Sequence, residues 1–507
     1  MEILDYSCIV FFIIVVLLVG GFFAKNEKTT NAFLLGGGKI PWWAASVSCA
    51  MSIMSTVSVV GIPGEAYNNG LRYTIIELFV PFTGLAFFYL FIRFYFMVKT
   101  YTPYMYLEQR FDARIRGIIS VVFFLMRMSY LSLVLFSCAM VFKGIAEWNI
   151  QITILCIGIM AIAYCGMGGL KAVIWVNTIK FFALYSGILV TVIICLSQVS
   201  GGLFGVIKYA FENERGFSLN SDFFSFDPHV RMTLWLLLFS AIAQYMFLTS
   251  ADQITIQQLL STNSYKKAKN SFLGSILIMI PLVTILWFLG LCMFAYFGQN
   301  PVSGGNPPGD VALFRFIRCN LPSPLPGLIV ATLLATAIST SGSALTALST
   351  VAIKDFYLRF LRPNANEQIQ VKASRILVIF IGLCAIGLSM LISIISRTLG
   401  ETVFEAASIW MAASTVIAPV FFIGVVFPRC NGRHALIGIL LGWLVTGAMV
   451  LWYIRSKCMG NPISFMAISV PGFITVLFTG FLAQICAKAN YPHKNSDLTI
   501  WTLKTKS

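Results

Sequence analysis

Residues 42–64 combine an apolar composition with a dense row of hydroxyl side chains. The hydroxyl-bearing residues in this segment are Ser46, Ser48, Ser52, Ser55, Thr56 and Ser58. Gly61, Pro63 and Gly64 follow them. Lipid cannot hydrogen-bond a backbone that leaves the helical path, so an interrupted helix of this kind must face protein or water. Secondary transporters bind ligands at such interruptions, although a plain packing helix also uses small residues to approach its neighbours.

A second segment, residues 326–352, is even richer in hydroxyl groups. Its hydroxyl-bearing residues include Thr336, Ser339, Thr340, Ser341, Ser343, Thr346, Ser349 and Thr350. Several recur at three- and four-residue spacing and therefore share a helix face. Neutral oxygens beside an unwound backbone suit a monovalent hard cation such as sodium. The alternative is that each hydroxyl bonds back to a carbonyl of its own helix.

Three ionisable residues inside apolar segments also need a role: Glu77, Arg127 and Glu405. Because a buried carboxylate is costly, Glu77 is predicted either to contact the substrate or to pair with Arg127. Arg127 is predicted either to attract an anionic substrate or to tie two helices together. Glu405, near an outer helix end, is predicted to be solvated.

The composition is that of a membrane protein. Of the 507 residues, 58% are hydrophobic and 11% are charged, whereas soluble chains carry about 25% charged residues. The net charge of +16 therefore indicates basic cytoplasmic loops rather than a nucleic-acid partner. The twelve cysteines and three histidines form no metal-ligand spacing, and no catalytic cluster is visible. Neither a cofactor nor an enzyme is expected.

Thirteen segments are long and apolar enough to cross a bilayer. Their approximate cores are 7–24, 40–62, 74–98, 115–142, 151–167, 172–198, 232–250, 272–297, 326–352, 373–395, 403–427, 434–454 and 464–487. The fifth and sixth are joined by a glycine-rich turn, GMGGLK, at residues 166–171. The whole chain, residues 1–507, is expected to form a single membrane transport domain that ends in a short polar tail at 488–507.

The distribution of Lys and Arg predicts the orientation. The chain begins with acidic residues, Glu2 and Asp5, and its first basic residues follow the first apolar run. This order predicts an uncleaved first span with an extracellular N-terminus. The inner loops then hold 22 of the 35 Lys and Arg residues and the outer loops hold 9, as the positive-inside rule requires. An odd number of spans places the C-terminus in the cytoplasm.

Spans 2–6 and 7–11 form two blocks of five, at residues 40–198 and 232–427. The first span of each block is the unusual one. Span 2 is the hydroxyl-rich segment, and span 7 carries Ser240, Gln244, Thr249 and Ser250 before reaching Asp252. Interrupted helices at matching positions of two halves are typical of the binding site of an inverted-repeat transporter.

Four motifs resemble the sodium/solute symporter family. They are MSTVSVVGIPGEAYNNG at 54–70, GGLKAVIW at 168–175, DQITIQQ at 252–258 and IKDF at 353–356. The resemblance runs in order over about residues 30–430. It is closest to the branch that carries iodide, monocarboxylates and multivitamins. It implies an all-α, LeuT-type 5+5 inverted repeat, with one extra helix before the repeats and two after them.

The resemblance also implies a function and a set of site residues. It implies a plasma-membrane symporter that brings a small organic or inorganic anion into the cell together with sodium by alternating access. The implied sodium ligands are the hydroxyls of Ser339 and Thr340 and the backbone carbonyls of Thr336, Met51 and Met54, with Ser55 near the ion. The implied substrate contacts are Ser58, Glu77 and a wall from span 7. Leu248 stands where sugar carriers have a tyrosine, which disfavours a sugar.

Three residues depart from the family pattern. Asn177 stands where the family usually has Asp, Gln258 where it usually has Arg, and Lys180 where Gln is frequent. The resemblance implies that the Asp and Arg interact in relatives, so the loss of both is compensated, and it leaves the stoichiometry and rate of sodium coupling open. Two alternatives therefore remain beside the anion symporter: a sodium-coupled sugar or polyol symporter, and a non-transporting sensor or leak channel of the same fold.

Overall fold

A computed structural model describes residues 2–24, 29–98, 100–217, 221–302, 305–395, 416–486 and 498–503, and the regular secondary structure in these ranges is helical. The α-helices are α1 Ile3–Ala24, α2 Thr30–Leu35, α3 Trp42–Ile53, α4 Thr56–Asn69, α5 Thr74–Val98, α6 Tyr104–Arg110, α7 Ala113–Ala146, α8 Ile150–Gln198, α9 Gly202–Glu212, α10 Leu234–Ser250, α11 Gln253–Leu260, α12 Tyr265–Gln299, α13 Gly309–Asn320, α14 Leu325–Val351, α15 Glu367–Ile395, α16 Ala418–Val426, α17 Gly432–Cys458, α18 Ser469–Cys486 and α19 Ile500–Leu503. Short 3-10 turns occupy Gly36–Gly38, Ser221–Phe224 and Phe465–Ile468, and a π-helical segment, Ala352–Leu361, continues α14.

The first span of each predicted block is a broken helix. The axes of α3 and α4 differ by 61°, and those of α10 and α11 differ by 47°. Each break is only two residues long, at 54–55 in the first pair and 251–252 in the second. These are the two interruptions that the sequence predicts from hydroxyl-rich and polar residues at the head of each block.

The structure supports many spans without testing the count of thirteen. Within the described ranges, eight helices are long and apolar enough to cross a membrane, or ten if each bent pair is one span. One of these, α8, has 49 residues, about 74 Å of helix, which is more than twice a hydrocarbon core. Gly169 breaks it with φ 53° and ψ −150°, inside the turn predicted at 166–171. Residues 403–415 of span 11, which include Glu405, lie outside the described residues.

Helix α14 lies at the centre of the packing, with nearly every residue from Pro326 to Val351 buried. Most of its hydroxyls bond back to their own helix. The Oγ1 of Thr336 donates to Thr332 O at 2.7 Å, and the Oγ of Ser343 donates to Ser339 O at 3.1 Å. The back-bonding alternative is therefore confirmed for these two hydroxyls.

Helix α12 approaches the half-helix α4 through a glycine, and this contact gives a first prediction. A Cβ built on Gly290 would lie 2.4 Å from both Pro63 O and Ala66 Cβ. We expect Gly290→Ala to lower the free energy of unfolding by about 1–3 kcal/mol because the two backbones must separate. Gly447→Ala is the control, since nothing lies within 4 Å of its Cβ position. Thermal unfolding in detergent gives the midpoint of each purified variant. Equal midpoints for the two variants would contradict the close packing of α12 on α4.

Candidate functional site

The first break exposes backbone carbonyls in the protein interior. Helix α3 ends at Ile53, and Met54 and Ser55 are extended, with ψ of 99° and 170°. Ser55 caps α4, because its Oγ accepts a hydrogen bond from the Ser58 amide at 3.3 Å. The last carbonyls of a helix have no partner within it, so those of the final turn of α3 need one from elsewhere.

Lys180 of α8 supplies that partner. Its Nζ donates hydrogen bonds to Met51 O at 2.6 Å and to Met54 O at 3.1 Å. The residue is fully buried. The two carbonyls assigned to sodium by the resemblance are therefore brought together at the break, as expected, and an amine of the same chain binds them.

The remaining predicted sodium ligands lie on α14. The Oγ of Ser339 donates to Thr336 O at 3.2 Å. Thr340 Oγ1 and Ser341 Oγ are buried and lack a hydrogen-bond partner within the described part of the chain. Helices α3 and α14 are directly linked, because Ser52 Oγ lies 3.0 Å from Ser343 Oγ. The break and the hydroxyl-rich helix thus meet as the sequence predicts, and the sodium assignment itself stays a prediction.

The two neutral departures from the family pattern meet at one hydroxyl. Asn177 Nδ2 donates to Ser48 Oγ and Ser52 Oγ, both at 3.0 Å. Gln258 Nε2 donates to Ser52 Oγ at 2.6 Å. This buried network links α3, α8 and α11 without any charged group, and Ser52 extends it to α14.

The second break is stabilised by an ion pair. Asp252 caps α11, and its Oδ2 accepts from the amide and the hydroxyl of Thr255 at 3.2 and 2.8 Å. Its Oδ1 accepts from Arg127 Nη2 of α7 at 2.9 Å. The side chain of Asp252 is 1% exposed and that of Arg127 is 12% exposed. Arg127 thus ties α7 to the second break through Asp252, and its predicted contact with an anionic substrate stays a prediction.

Tyrosine hydroxyls bind the carbonyls that the second break leaves open. Tyr95 donates to Ser250 O, and Tyr104 donates to Ala251 O at 2.9 Å. Both tyrosines are buried. Unwound backbone within the membrane is tolerated only where protein or water binds its polar groups, and here the protein does so.

The predicted substrate contacts are only partly placed. Ser58 is half-buried, and its Oγ lies 3.3 Å from that of Ser55. Tyr130, which stacks under the Arg127 guanidinium at 5.4 Å, donates to Ser55 Oγ at 3.5 Å. Leu248 is buried on α10. The Glu77 side chain lies outside the described part of the chain, so its predicted role remains untested.

Sequence reasoning missed two contacts of this site: the hydrogen bonds of Lys180 to the first break and the ion pair of Asp252 with Arg127. Lys180 was visible only as a departure from the family pattern, and Asp252 only as the end of a polar span. A lysine in the middle of an apolar span signals a functional site, so Lys180 could have been singled out. Its hydrogen bonds to the backbone carbonyls of Met51 and Met54 could not.

The chain was compared with known proteins. A model of the sodium:solute symporter family matches residues 33–442. The sodium-coupled monocarboxylate transporter 2 of Mus musculus is 27% identical over 85% of this chain and 70% of its own length. The sodium-dependent multivitamin transporter of Oryctolagus cuniculus is 28% identical over 87% of this chain and 70% of its own length.

The fold is also that of a solved transporter. The structure of a Na⁺-coupled sialic acid symporter in its substrate-bound outward-open state superposes with a TM-score of 0.86. It shares 24% sequence identity, and the match covers 96% of this chain and 99% of that one. The all-α transporter fold predicted from the sequence is thereby confirmed.

Proposed function

Because the chain belongs to the sodium:solute symporter family, we propose that it is a sodium-coupled symporter for a small organic or inorganic anion. It is a multi-pass membrane transporter and not an enzyme. The observation that carries the proposal is the pair of broken helices, α3/α4 and α10/α11, at the head of the two blocks. Such breaks provide helix ends and free carbonyls for a solute and an ion near the middle of a membrane.

The preference for an anion rests on the half-helix α4. Its 14 residues begin at Thr56 inside the protein, and the N-terminal end of a helix attracts negative charge. Ser55 and Ser58 add hydroxyl groups at this end. Arg127 contributes less to the attraction than its charge suggests, because Asp252 neutralises it. Relatives named for a monocarboxylate and for sialic acid support the same class of solute.

The proposed membrane is the plasma membrane, with the N-terminus outside and the C-terminus in the cytoplasm. The proposed residues around the solute are Ser58, Glu77 and Leu248. The resemblance would place a cation between the first break and α14, where Thr340 Oγ1 has no described hydrogen-bond partner and the Lys180 amine binds the Met51 and Met54 carbonyls. Alternating access would then separate α14 from the break and release the solute inward.

Uptake of labelled solutes tests the proposal. Cells expressing the chain are given lactate, nicotinate, iodide, biotin or glucose, first in sodium and then in choline. We expect one anion to accumulate above the level of cells that lack the chain, and its accumulation to fall at least tenfold in choline. Ser58→Ala should weaken that uptake, while Ser129→Ala, whose hydroxyl bonds within α7 on an exposed surface, should not.

The same panel separates the alternatives. Sodium-dependent uptake of glucose, with no anion carried, would favour a sugar or polyol carrier. It would also contradict the argument that Leu248 disfavours a sugar. A sodium-evoked current without accumulation would favour a leak channel. Protein that reaches the surface and yet carries nothing on the panel would favour a sensor.

A further inference from the structure

The cation position that the resemblance implies already contains the amine of Lys180. We propose that Lys180 is a built-in cation that occupies the place of a sodium ion between Met51 O and Met54 O. Sodium that drives uptake is then bound elsewhere in the protein, and this position takes none. The proposal concerns ion binding, and it can be tested without knowing the solute.

The geometry at the break is that of a bound cation. The Nζ of Lys180 lies 2.6 Å from Met51 O and 3.1 Å from Met54 O. Charge-assisted hydrogen bonds of N–H to oxygen are about 2.7–2.9 Å long, so the pair of distances brackets that range. An ammonium group has three donors and no acceptor. It can therefore bind only electron-rich groups such as these carbonyls, as a metal cation would.

The surroundings of Lys180 explain why its amine lies at the first break. The side chain is fully buried, and within the described part of the chain it forms no salt bridge with a carboxylate. Asn177, one helical turn before it on α8, has a neutral amide that is engaged with Ser48 and Ser52. The two carbonyl groups thus accept the hydrogen bonds that water would otherwise accept from this amine. Without the amine the two carbonyls would lack a hydrogen-bond partner, and an unpaired carbonyl is costly in a membrane.

Sodium and Lys180 exclude each other at this position. Both need the same carbonyl lone pairs, so an ion bound there would lie within about 4 Å of Nζ. Two unit charges at that separation repel strongly enough, at the effective dielectric of a protein, to weaken binding by about a thousandfold. Sodium can therefore enter only if the side chain leaves, and that side chain is fully buried.

Removing the amine should convert this position into a sodium site. Lys180→Gln and Lys180→Ala free the two carbonyls, and Thr340 Oγ1 on α14 offers a further unengaged oxygen. We expect both variants to gain a saturable, sodium-specific rise of about 1–3 °C in the thermal midpoint. The midpoints are compared in sodium chloride and choline chloride at equal ionic strength. Lys143→Gln, an exposed lysine near the end of α7, is the control and should gain nothing.

A second substitution locates the gained ion. Adding Thr340→Ala to Lys180→Gln should remove the new response to sodium, because Thr340 Oγ1, which has no described hydrogen-bond partner, is the α14 oxygen that the resemblance assigns to this position. If Lys180→Gln and Lys180→Ala both fold and neither responds to sodium more than the wild type does, the proposal is wrong.

The wild-type protein provides an independent test that does not depend on the folding of a Lys180 variant. Any sodium response of the wild type should be unchanged by Thr340→Ala. Loss of that response in Thr340→Ala would show that sodium binds beside Lys180 after all and would overturn the proposal. Failure of the solute panel would instead count against the proposed anion transport and leave these binding results intact.

Discussion

Replacing Arg127 with methionine is expected to destabilise the protein by about 3–5 kcal/mol, because it leaves a buried carboxylate without its counter-charge. The side chain of Asp252 is 1% exposed. One of its oxygens is bound by Thr255, and the other is bound by Arg127 at 2.9 Å. The expected result is a large fall in the thermal midpoint and in the amount of protein at the cell surface.

The double variant Arg127→Met with Asp252→Asn distinguishes a structural tie from a solute contact. Its neutral amide can still accept the hydrogen bonds from Thr255, so most of the lost stability should return. If Arg127 acts only through Asp252, this variant should also carry the solute at a rate within a few-fold of the wild type. A stable double variant that has lost uptake, beside an active Asp252→Asn single variant, would instead make Arg127 a contact of the anion.

The positions of the two helix breaks could be predicted from local composition. Around residues 54–55, serines compete for backbone hydrogen bonds, so the sequence signals a weak point in an apolar span. At Asp252, a short acidic side chain after a polar run is a typical helix cap. Both signals lie within a few residues of the feature, which is why they can be read without a structure.

The partners of the charged groups could not be predicted in the same way. The sequence did not offer Asp252 as a partner of Arg127, but the break between α10 and α11 brings Asp252 to α7. Lys180 lies in the middle of α8, and only the packing of α8 against α3 directs its amine to Met51 and Met54. Which of two carboxylates, or which free carbonyl, a buried cation reaches is set by tertiary contacts between residues more than 100 positions apart.

The roles of Asn177 and Gln258 could be predicted in part from the sequence. The sequence suggested that a charged pair had been lost together. In the structure both amides donate to Ser52 Oγ, so the two positions are indeed neighbours and their change is mutually consistent. The amine of Lys180 follows on the next turn of α8. The sequence could indicate that the changes at Asn177 and Gln258 belong together, whereas the structure shows what each one contacts.

The other large effect is expected at the π-helical end of α14, where Asp355 of the IKDF motif is buried. Its carboxylate accepts from Arg116 Nη2 at 2.5 Å and Nε at 3.1 Å, from Ser120 at 2.8 Å and from Thr102 at 3.0 Å. The side chain is 1% exposed. We expect Arg116→Met to destabilise the protein by about 3–5 kcal/mol, since it breaks a buried charge pair.

Arg359→Met is the matched control in the same cluster. Arg359 pairs with Glu108 at 2.7 Å, but the two side chains are 23% and 31% exposed, and a pair in contact with water contributes about 0–1 kcal/mol. Thermal unfolding of the two variants side by side should therefore show a much larger fall for Arg116→Met. Equal falls would mean that Arg116 acts as one member of a surface network. A larger fall for Arg116→Met, restored in part by Asp355→Asn, would show that this buried pair holds α7 to the end of α14, the helix that the proposed alternating access separates from the first break.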